Sequence, residues 1–185
     1  MADEVDSATA AQDAQTPERG AAQTPEPPAP RRQSVATRSG ACDMRVGPGC
    51  ADRIGSDLRI MVGKPNRALL LMGEGVPDEL AETLGRSLTD KGFCVTTRDA
   101  SGLDPLRVES ALELYRWFAE IRLTADDAVV VAGSGDLMSC VQYAAATWAG
   151  GVAVAAVPLA LDGVVDVSVT PRALGLDGSA RMLLR

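Results

Sequence analysis

The residues with the most chemical promise are Gly133-Ser134-Gly135-Asp136. They follow an apolar run, Asp127–Gly133, and open a helical pattern, Asp136–Gly150. Strand, glycine turn and helix in that order often hold a phosphate. The glycines permit positive φ and close approach of a ligand to the backbone. The helix start offers free N–H groups and the positive end of a dipole. Two features point the other way. The Asp136 carboxylate can itself cap those N–H groups. It would also repel a pyrophosphate, by roughly 3 kcal/mol at about 5 Å and an effective dielectric of about 20. In addition, no Lys or Arg occurs between Arg122 and Arg172. The turn therefore carries two readings, a phosphate cradle or a self-capped helix.

Other chemistry is narrowed by what the chain contains. It has 185 residues and no histidine, which removes the commonest general base and the commonest metal ligand together. The cysteines are Cys42, Cys50, Cys94 and Cys140, and no pair has the short spacing of a zinc or redox site. Cys94 and Cys140 lie in apolar runs and read as buried small hydrophobes. Cys42 and Cys50 read either as free thiols or as a pair able to bridge or bind a metal. A net charge of −7 argues against a nucleic-acid partner. No apolar run is long enough to span a membrane, and the acidic start "MADEVDSATA" lacks a signal core. A cytoplasmic location is the expectation.

The elements that must position the turn follow from composition and periodicity. Residues 1–50 are rich in Ala, Pro, Gln and charge, and "AQTPE" occurs twice, at Ala14–Glu18 and Ala22–Glu26. Such a segment buries too little apolar surface to offset its ordering entropy, so a disordered tail is predicted there. Within it "RRQS", Arg31–Ser34, is either a basophilic kinase site or a solvated basic spot. Residues 51–185 form the predicted α/β domain. Hydrophobic residues make up 46% of the chain and aromatics 3%, so its core must be built from Ala, Val and Leu. Leu58–Gly63 reads as a first strand and Arg67–Gly75 as a second. The continuous apolarity of the latter suits a strand covered on both faces. Leu80, Leu84 and Leu88 mark a helix ended by Gly92, and Phe93–Thr97 is the next strand. A helix over Asp104–Leu123 has Asp104 as its cap and Pro105 in its first turn. Its apolar stripe is Leu106, Leu114, Trp117, Phe118 and Ile121, with Trp117 read as core or as a stacking surface for a cofactor. Val152–Pro158 is the last strand. The alternation implies a Rossmann-like parallel sheet with helices on both faces.

At that point the chain resembles a known family. "ELYRWFAEIRLTADDAVVVAGSGDLMSCVQYAAATWAGGVAVAAVPLALDGVVDVSV" resembles the N-terminal domain of the 3-dehydroquinate synthase family, which has an ELY-W-AE-RL helix, GGGVVGD, FVAAT-x-x-RG, PTTLLA and VDSSVGGK. The two can be laid together without a gap from about Leu106 to Ala173. Shared marks are Gly133, Gly135, Ala145-Ala146-Thr147, Gly151, Pro158, Leu161, Val165-Asp166, Ser168 and Val169. The resemblance implies an enzyme of the shikimate pathway, a carbon–oxygen lyase that makes 3-dehydroquinate from a seven-carbon phosphorylated keto acid. It implies NAD, bound mostly by this domain at Gly133, Ser134, Gly135, Asp136 and Ser139. It also implies a divalent metal whose glutamate and histidine ligands belong to a helical C-terminal domain. Asp166 and Arg172 would face the substrate.

The chain departs from the family at most of these chemical positions. Ser134 replaces the middle glycine and Ser139 the closing Asp of GGGVVGD. Leu159 and Ala160 replace two threonines, Thr170 and Pro171 replace two glycines, and Arg172 replaces a lysine. Leu103 and Leu106 stand where the family has an acidic residue and a lysine, and Met72-Gly73 where it has Thr-Asp. Shape-forming positions are retained and hydrogen-bonding positions are lost. The expectation is a degenerate synthase-like domain, not catalytic by itself, with NAD binding weak or lost and no divalent metal in this chain. Two alternatives stand beside it. One is a split synthase completed by a partner chain that supplies the C-terminal-type domain, and the other is a non-catalytic interaction module. A homodimer is a further expected partner arrangement.

Overall fold

The structure is a computed structural model that describes residues 29–37, 40–64 and 66–169. Four strands form one parallel sheet: β3 (Arg67–Met72), β4 (Cys94–Asp99), β5 (Ala128–Gly133) and β6 (Ala153–Pro158). Their spatial order is β4-β3-β5-β6. Before them come a hairpin, β1 (Arg31–Thr37) and β2 (Gly40–Val46), and the helix α1 (Cys50–Val62). Between the sheet strands lie α2 (Asp78–Asp90), α3 (Val108–Glu120) and α4 (Gly135–Thr147), and α5 (Leu161–Val169) follows β6. The doubly wound class expected from the sequence is what is found.

The unbroken apolarity of β3 and β5 has a direct cause: both faces are covered. Leu69, Leu71, Val129 and Val131 pack against Leu114 and Phe118 of α3 and Met138, Val141 and Ala145 of α4. The alternate residues Ala68, Leu70, Ala128, Val130 and Ala132 pack against Leu58 of α1 and Leu84 and Leu88 of α2. Neither face is left for solvent, so neither strand alternates apolar with polar. Asp127 ties the amino ends of β3 and β5 together. It is fully buried, and its carboxylate accepts from the N–H of Arg67 (2.9 Å) and from the N–H (2.6 Å) and hydroxyl (2.9 Å) of Thr124. Both of its buried oxygens thereby have hydrogen-bond partners.

Several expectations are corrected. Leu58–Gly63 is not a strand but the last turns of α1, which ends at Gly63 with φ 75°. The stripe that matters is Ile54, Leu58 and Val62, spaced by four residues, while Ile60 and Met61 point outward. Arg31–Val46, given to a disordered tail, forms the antiparallel hairpin β1–β2, with Val35 opposite Cys42. The basic spot Arg31–Ser34 therefore lies on a strand, and Arg32 pairs with Asp43 at 3.0 Å. Arg45 bridges Asp43 and Asp57, joining the hairpin to α1. The earlier part of the tail, residues 1–28, lies outside the described residues. Asp104 caps a turn rather than a helix: its carboxylate accepts from the N–H of Leu106, and α3 begins four residues later with Arg107 as N-cap. Cys94 is exposed, because it starts the edge strand β4, whereas Cys140 is buried as expected. Cys42 and Cys50 are both free. Trp117 packs on the core formed by α3, α4 and the sheet.

Candidate nucleotide-binding turn

In an open α/β sheet, ligands bind beyond the carboxyl ends of the strands where the winding reverses. Here that point lies between β3 and β5, because the chain moves outward from β3 to β4 and then returns to start β5 on the other side. The residues there are Met72-Gly73 at the end of β3 and Gly133-Ser134-Gly135 after β5. The glycine turn is thus placed where the sequence predicts. A shallow hollow of about 330 Å³, lined by Val62, Lys64, Asn66 and Asp126, opens at the opposite, amino ends of the strands.

At the switch point the backbone is closed on itself. The Gly73 N–H donates to the Ala132 carbonyl at 2.8 Å, extending the β3–β5 pairing past the strands. A Cβ at Gly73 would lie 2.6 Å from Leu137 Cδ2, 3.1 Å from the Ala132 carbonyl oxygen and 3.3 Å from Gly133 Cα. A Cβ at Gly133, where φ is 150°, would meet Leu137 Cδ2 at 3.2 Å and Gly73 Cα at 3.3 Å. Glycine is needed at both positions for the packing of the chain against itself. Leu137 fills the space over them and is buried.

The α4 N-terminus is capped from within. Ser134 is the N-cap, with extended backbone, and its Oγ accepts from the Leu137 N–H at 3.3 Å. The capping group is therefore Ser134, where the sequence points to Asp136. Asp136 stands half-buried in the first turn and adds the negative charge a helix start favours. Ser139 turns its hydroxyl back onto the helix and donates to the Gly135 carbonyl at 2.9 Å. From the other side α5 closes over the turn. Gly163 is packed so tightly that a Cβ there would lie 3.2 Å from Pro158 Cβ and 3.4 Å from Gly135 N. The Leu159 N–H donates to the Gly133 carbonyl at 3.2 Å, fixing the entry to α5. These contacts engage the Ser134 hydroxyl, the Leu137 N–H and the Ser139 hydroxyl within the chain itself.

The structure brings Gly133, Ser134, Gly135, Asp136 and Ser139 together and adds Gly73, Leu137 and Gly163. No local pattern announces the last three, since each matters through a partner distant in the chain. Asp166 belongs by its backbone to α5, and Arg172 lies outside the described residues. Among the described residues, no group of three or more Cys, Asp or Glu is placed to hold a metal ion. Nor is any helix there long and apolar enough to cross a membrane.

Sheet order and turn define a doubly wound domain of the type whose switch point serves nucleotides. Residues 101–176 match the family described as 3-dehydroquinate synthase N-terminal. The chain is 33% identical over 133 residues to the 3-dehydroquinate synthase of Arthrobacter sp. (strain FB24), covering 69% of this chain and 34% of that protein. It is 30% identical over 139 residues to the enzyme of Gloeobacter violaceus, covering 75% of this chain and 38% of that one. Together these give the chain its resemblance to the N-terminal domain of 3-dehydroquinate synthases, and it spans little more than a third of these curated relatives. Among solved structures, 2-deoxy-scyllo-inosose synthase in complex with carbaglucose-6-phosphate, NAD+ and Co2+ superposes with a TM-score of 0.60. Its identity is 16%, over 69% of this chain and 34% of that one, a likeness of fold.

Proposed function

We propose that this is a 3-dehydroquinate synthase-like domain that has kept the family's architecture and lost most of its grip on NAD, so that it is not catalytic by itself. The observation that carries the reading is the sealed turn, with Ser134 Oγ on the Leu137 N–H and Gly163 packed against Gly135. The replacements at Ser139, Leu159 and Ala160 remove further donors and acceptors that the resemblance assigns to the cofactor. Each such bond is worth on the order of 1 kcal/mol. Losing four or five weakens binding by about a thousandfold or more. The chain also has no histidine to serve as a ligand for the family's divalent metal. Isothermal titration of the full chain with NAD tests this reading. No saturable binding below about 1 mM is expected, and a micromolar isotherm would overturn it.

A second reading rests on the same likeness to the curated synthases, 33% and 30% identity over 133 and 139 residues. The domain could form one part of a synthase that a partner chain completes, with the metal ligands and the rest of the NAD site on the partner. Co-expression with a histidine-bearing C-terminal half from such a relative, followed by a phosphate-release assay, separates the two. Turnover of the seven-carbon phosphorylated keto acid supports the completed enzyme, and its absence leaves the degenerate domain as the reading.

A further inference from the structure

The basic stretch Arg31-Arg32-Gln33-Ser34 lies away from the glycine turn, and the hairpin gives it an arrangement that the sequence does not show. Among the described residues β1 pairs with β2 alone, and all four of these residues are exposed. Directly opposed residues of an antiparallel pair share a face, as do residues two apart on one strand. The register sets Arg32 opposite Arg45 and Ser34 opposite Asp43, so these four side chains stand on one face. Three of them are charged and paired. Asp43 accepts from Arg32 Nε at 3.0 and 3.1 Å and lies 3.3 Å from Arg45, which also reaches Asp57 of α1 at 3.4 Å. Ser34 is the neutral member of the face. Its neighbours are Arg32 two residues back, Asp43 directly across and Arg45 on the diagonal, a spacing that long side chains span. The other face, with Val35, Cys42 and Met44, is half-buried.

We propose that Ser34 is a phosphorylation site and that its phosphate releases the hairpin from α1. Arginines three and two residues before a serine, on an exposed and extended segment, give the charge pattern that a kinase with an acidic substrate groove selects. Ser34 Oγ attacks the γ-phosphorus of ATP, and the bond from that phosphorus to the β–γ bridging oxygen breaks. ADP leaves, and the hydroxyl proton passes to the kinase's catalytic aspartate. The product carries a charge of about −1.5 to −2 and three acceptor oxygens. Asp43, directly across, repels it, whereas Arg32 and Arg45 are placed to bind it bidentately. The Arg45–Asp57 pair is long at 3.4 Å, and a doubly charged phosphate displaces the carboxylate from it. That pair joins the hairpin to α1. A two-stranded hairpin is marginal by itself, so β1–β2 loosens once the pair is broken.

The test treats the full chain with magnesium ATP and a serine kinase selective for Arg-Arg-x-Ser, and maps the product by mass spectrometry. Phosphate on Ser34 of the folded chain is expected. Ser34→Ala should abolish it, and Arg32→Ala should lower its rate of formation by about tenfold or more. Phosphate at Thr37 or Ser39 instead, or at Ser34 only in urea, refutes the proposal. Hydrogen exchange on the unsubstituted chain, before and after modification, reads the release and does not depend on any variant folding. Amides of β1 and β2 should exchange about tenfold faster or more after phosphorylation, with those of β3 and β5 unchanged. Arg45→Ala should speed the hairpin in the same way without phosphate, and phosphorylation of that variant should add little. A phosphorylated chain whose hairpin exchanges as before overturns the proposal, as does further loosening of R45A on phosphorylation.

Discussion

Gly55→Ala is the substitution for which the packing makes the sharpest demand. Gly55 is buried in α1 where that helix crosses α2, and a Cβ there would lie 2.1 Å from the Ser87 carbonyl oxygen and 3.1 Å from Leu88 Cα. Both obstacles are backbone, so no side-chain rotation relieves them, and the helices must separate by about 1 Å to restore an ordinary contact. Overpacking of that kind costs about 1–3 kcal/mol. Separation also breaks a small network: the Gly55 N–H donates to Ser87 Oγ at 3.2 Å, and Ser87 Oγ donates to the Asp52 carbonyl at 2.7 Å. Each buried bond is worth about 1 kcal/mol. Against this, alanine is favoured over glycine in a helix by about 1 kcal/mol. The net loss is about 2–4 kcal/mol, most of it from steric exclusion. Gly85→Ala is the matched control. It lies in α2, and its Cβ would meet only Leu70 Cδ2 at 3.9 Å, an ordinary contact. Helix propensity then acts alone, and a gain of about 0.5–1 kcal/mol is expected. Urea unfolding followed by circular dichroism compares the variants with the parent. If Gly55→Ala unfolds at or above the parent's midpoint, the close crossing of α1 and α2 is wrong.

Two further outcomes follow from the titrating groups. Burial pushes the Cys140 thiol up to about 11, while Cys94 is exposed at the sheet edge. At pH 8 only roughly one Cys140 in a thousand is the reactive thiolate, so a chromogenic disulfide reagent should modify Cys94 promptly and Cys140 only on unfolding; fast modification of Cys140 mapped by mass spectrometry would contradict its burial. The Asp99 carboxyl is held below its ordinary 3.8, first by the backbone N–H of Ser101, which donates at 2.8 Å, and then by the Ser101 side chain. A depressed carboxyl stabilises the folded state above its unfolded value and loses that contribution as pH falls through its native value. Asp99→Asn should therefore narrow the stability difference between pH 6 and pH 3, and an unchanged acid limb would show that the Ser101 contact is not made in solution.

What could be read from the sequence tracks how much apolar surface each element buries. The strands β3, β5 and β6 are continuous apolar runs because helices cover them on both sides, and α2 shows Leu80, Leu84 and Leu88 at helical spacing. The helix α1 escaped because Ile60 and Met61, 78% and 60% exposed, fill the gaps in its true stripe and give Leu58–Gly63 the look of a strand. Gly55, which lets α1 cross α2 closely, reads in isolation as a helix breaker. The hairpin escaped for the opposite reason. Val35, Cys42 and Met44 are only half-buried, and its order rests on main-chain pairing and on the Arg32–Asp43 and Arg45–Asp57 bridges, none of which leaves a hydrophobic period.

The glycine turn shows most sharply what a local pattern leaves undetermined. Glycine there has two physical justifications, approach by a ligand and approach by the chain itself, and the string Gly133-Ser134-Gly135 is compatible with both. The deciding atoms come from four other places: Gly73 from the end of β3, Leu137 from the first turn of α4, Pro158 from the end of β6 and Gly163 from α5. Once Leu137 Cδ2 sits over Gly73 and Gly133, a Cβ at Gly133 is crowded whether or not a dinucleotide binds. Retention of glycine is then no evidence for retention of the cofactor. The side chains that the resemblance assigns to the cofactor bond within the chain, Ser134 to the Leu137 N–H and Ser139 to the Gly135 carbonyl. A domain in which packing crowds Gly73 and Gly133 can keep its shape while the polar side chains around the turn change, because their loss leaves the core intact.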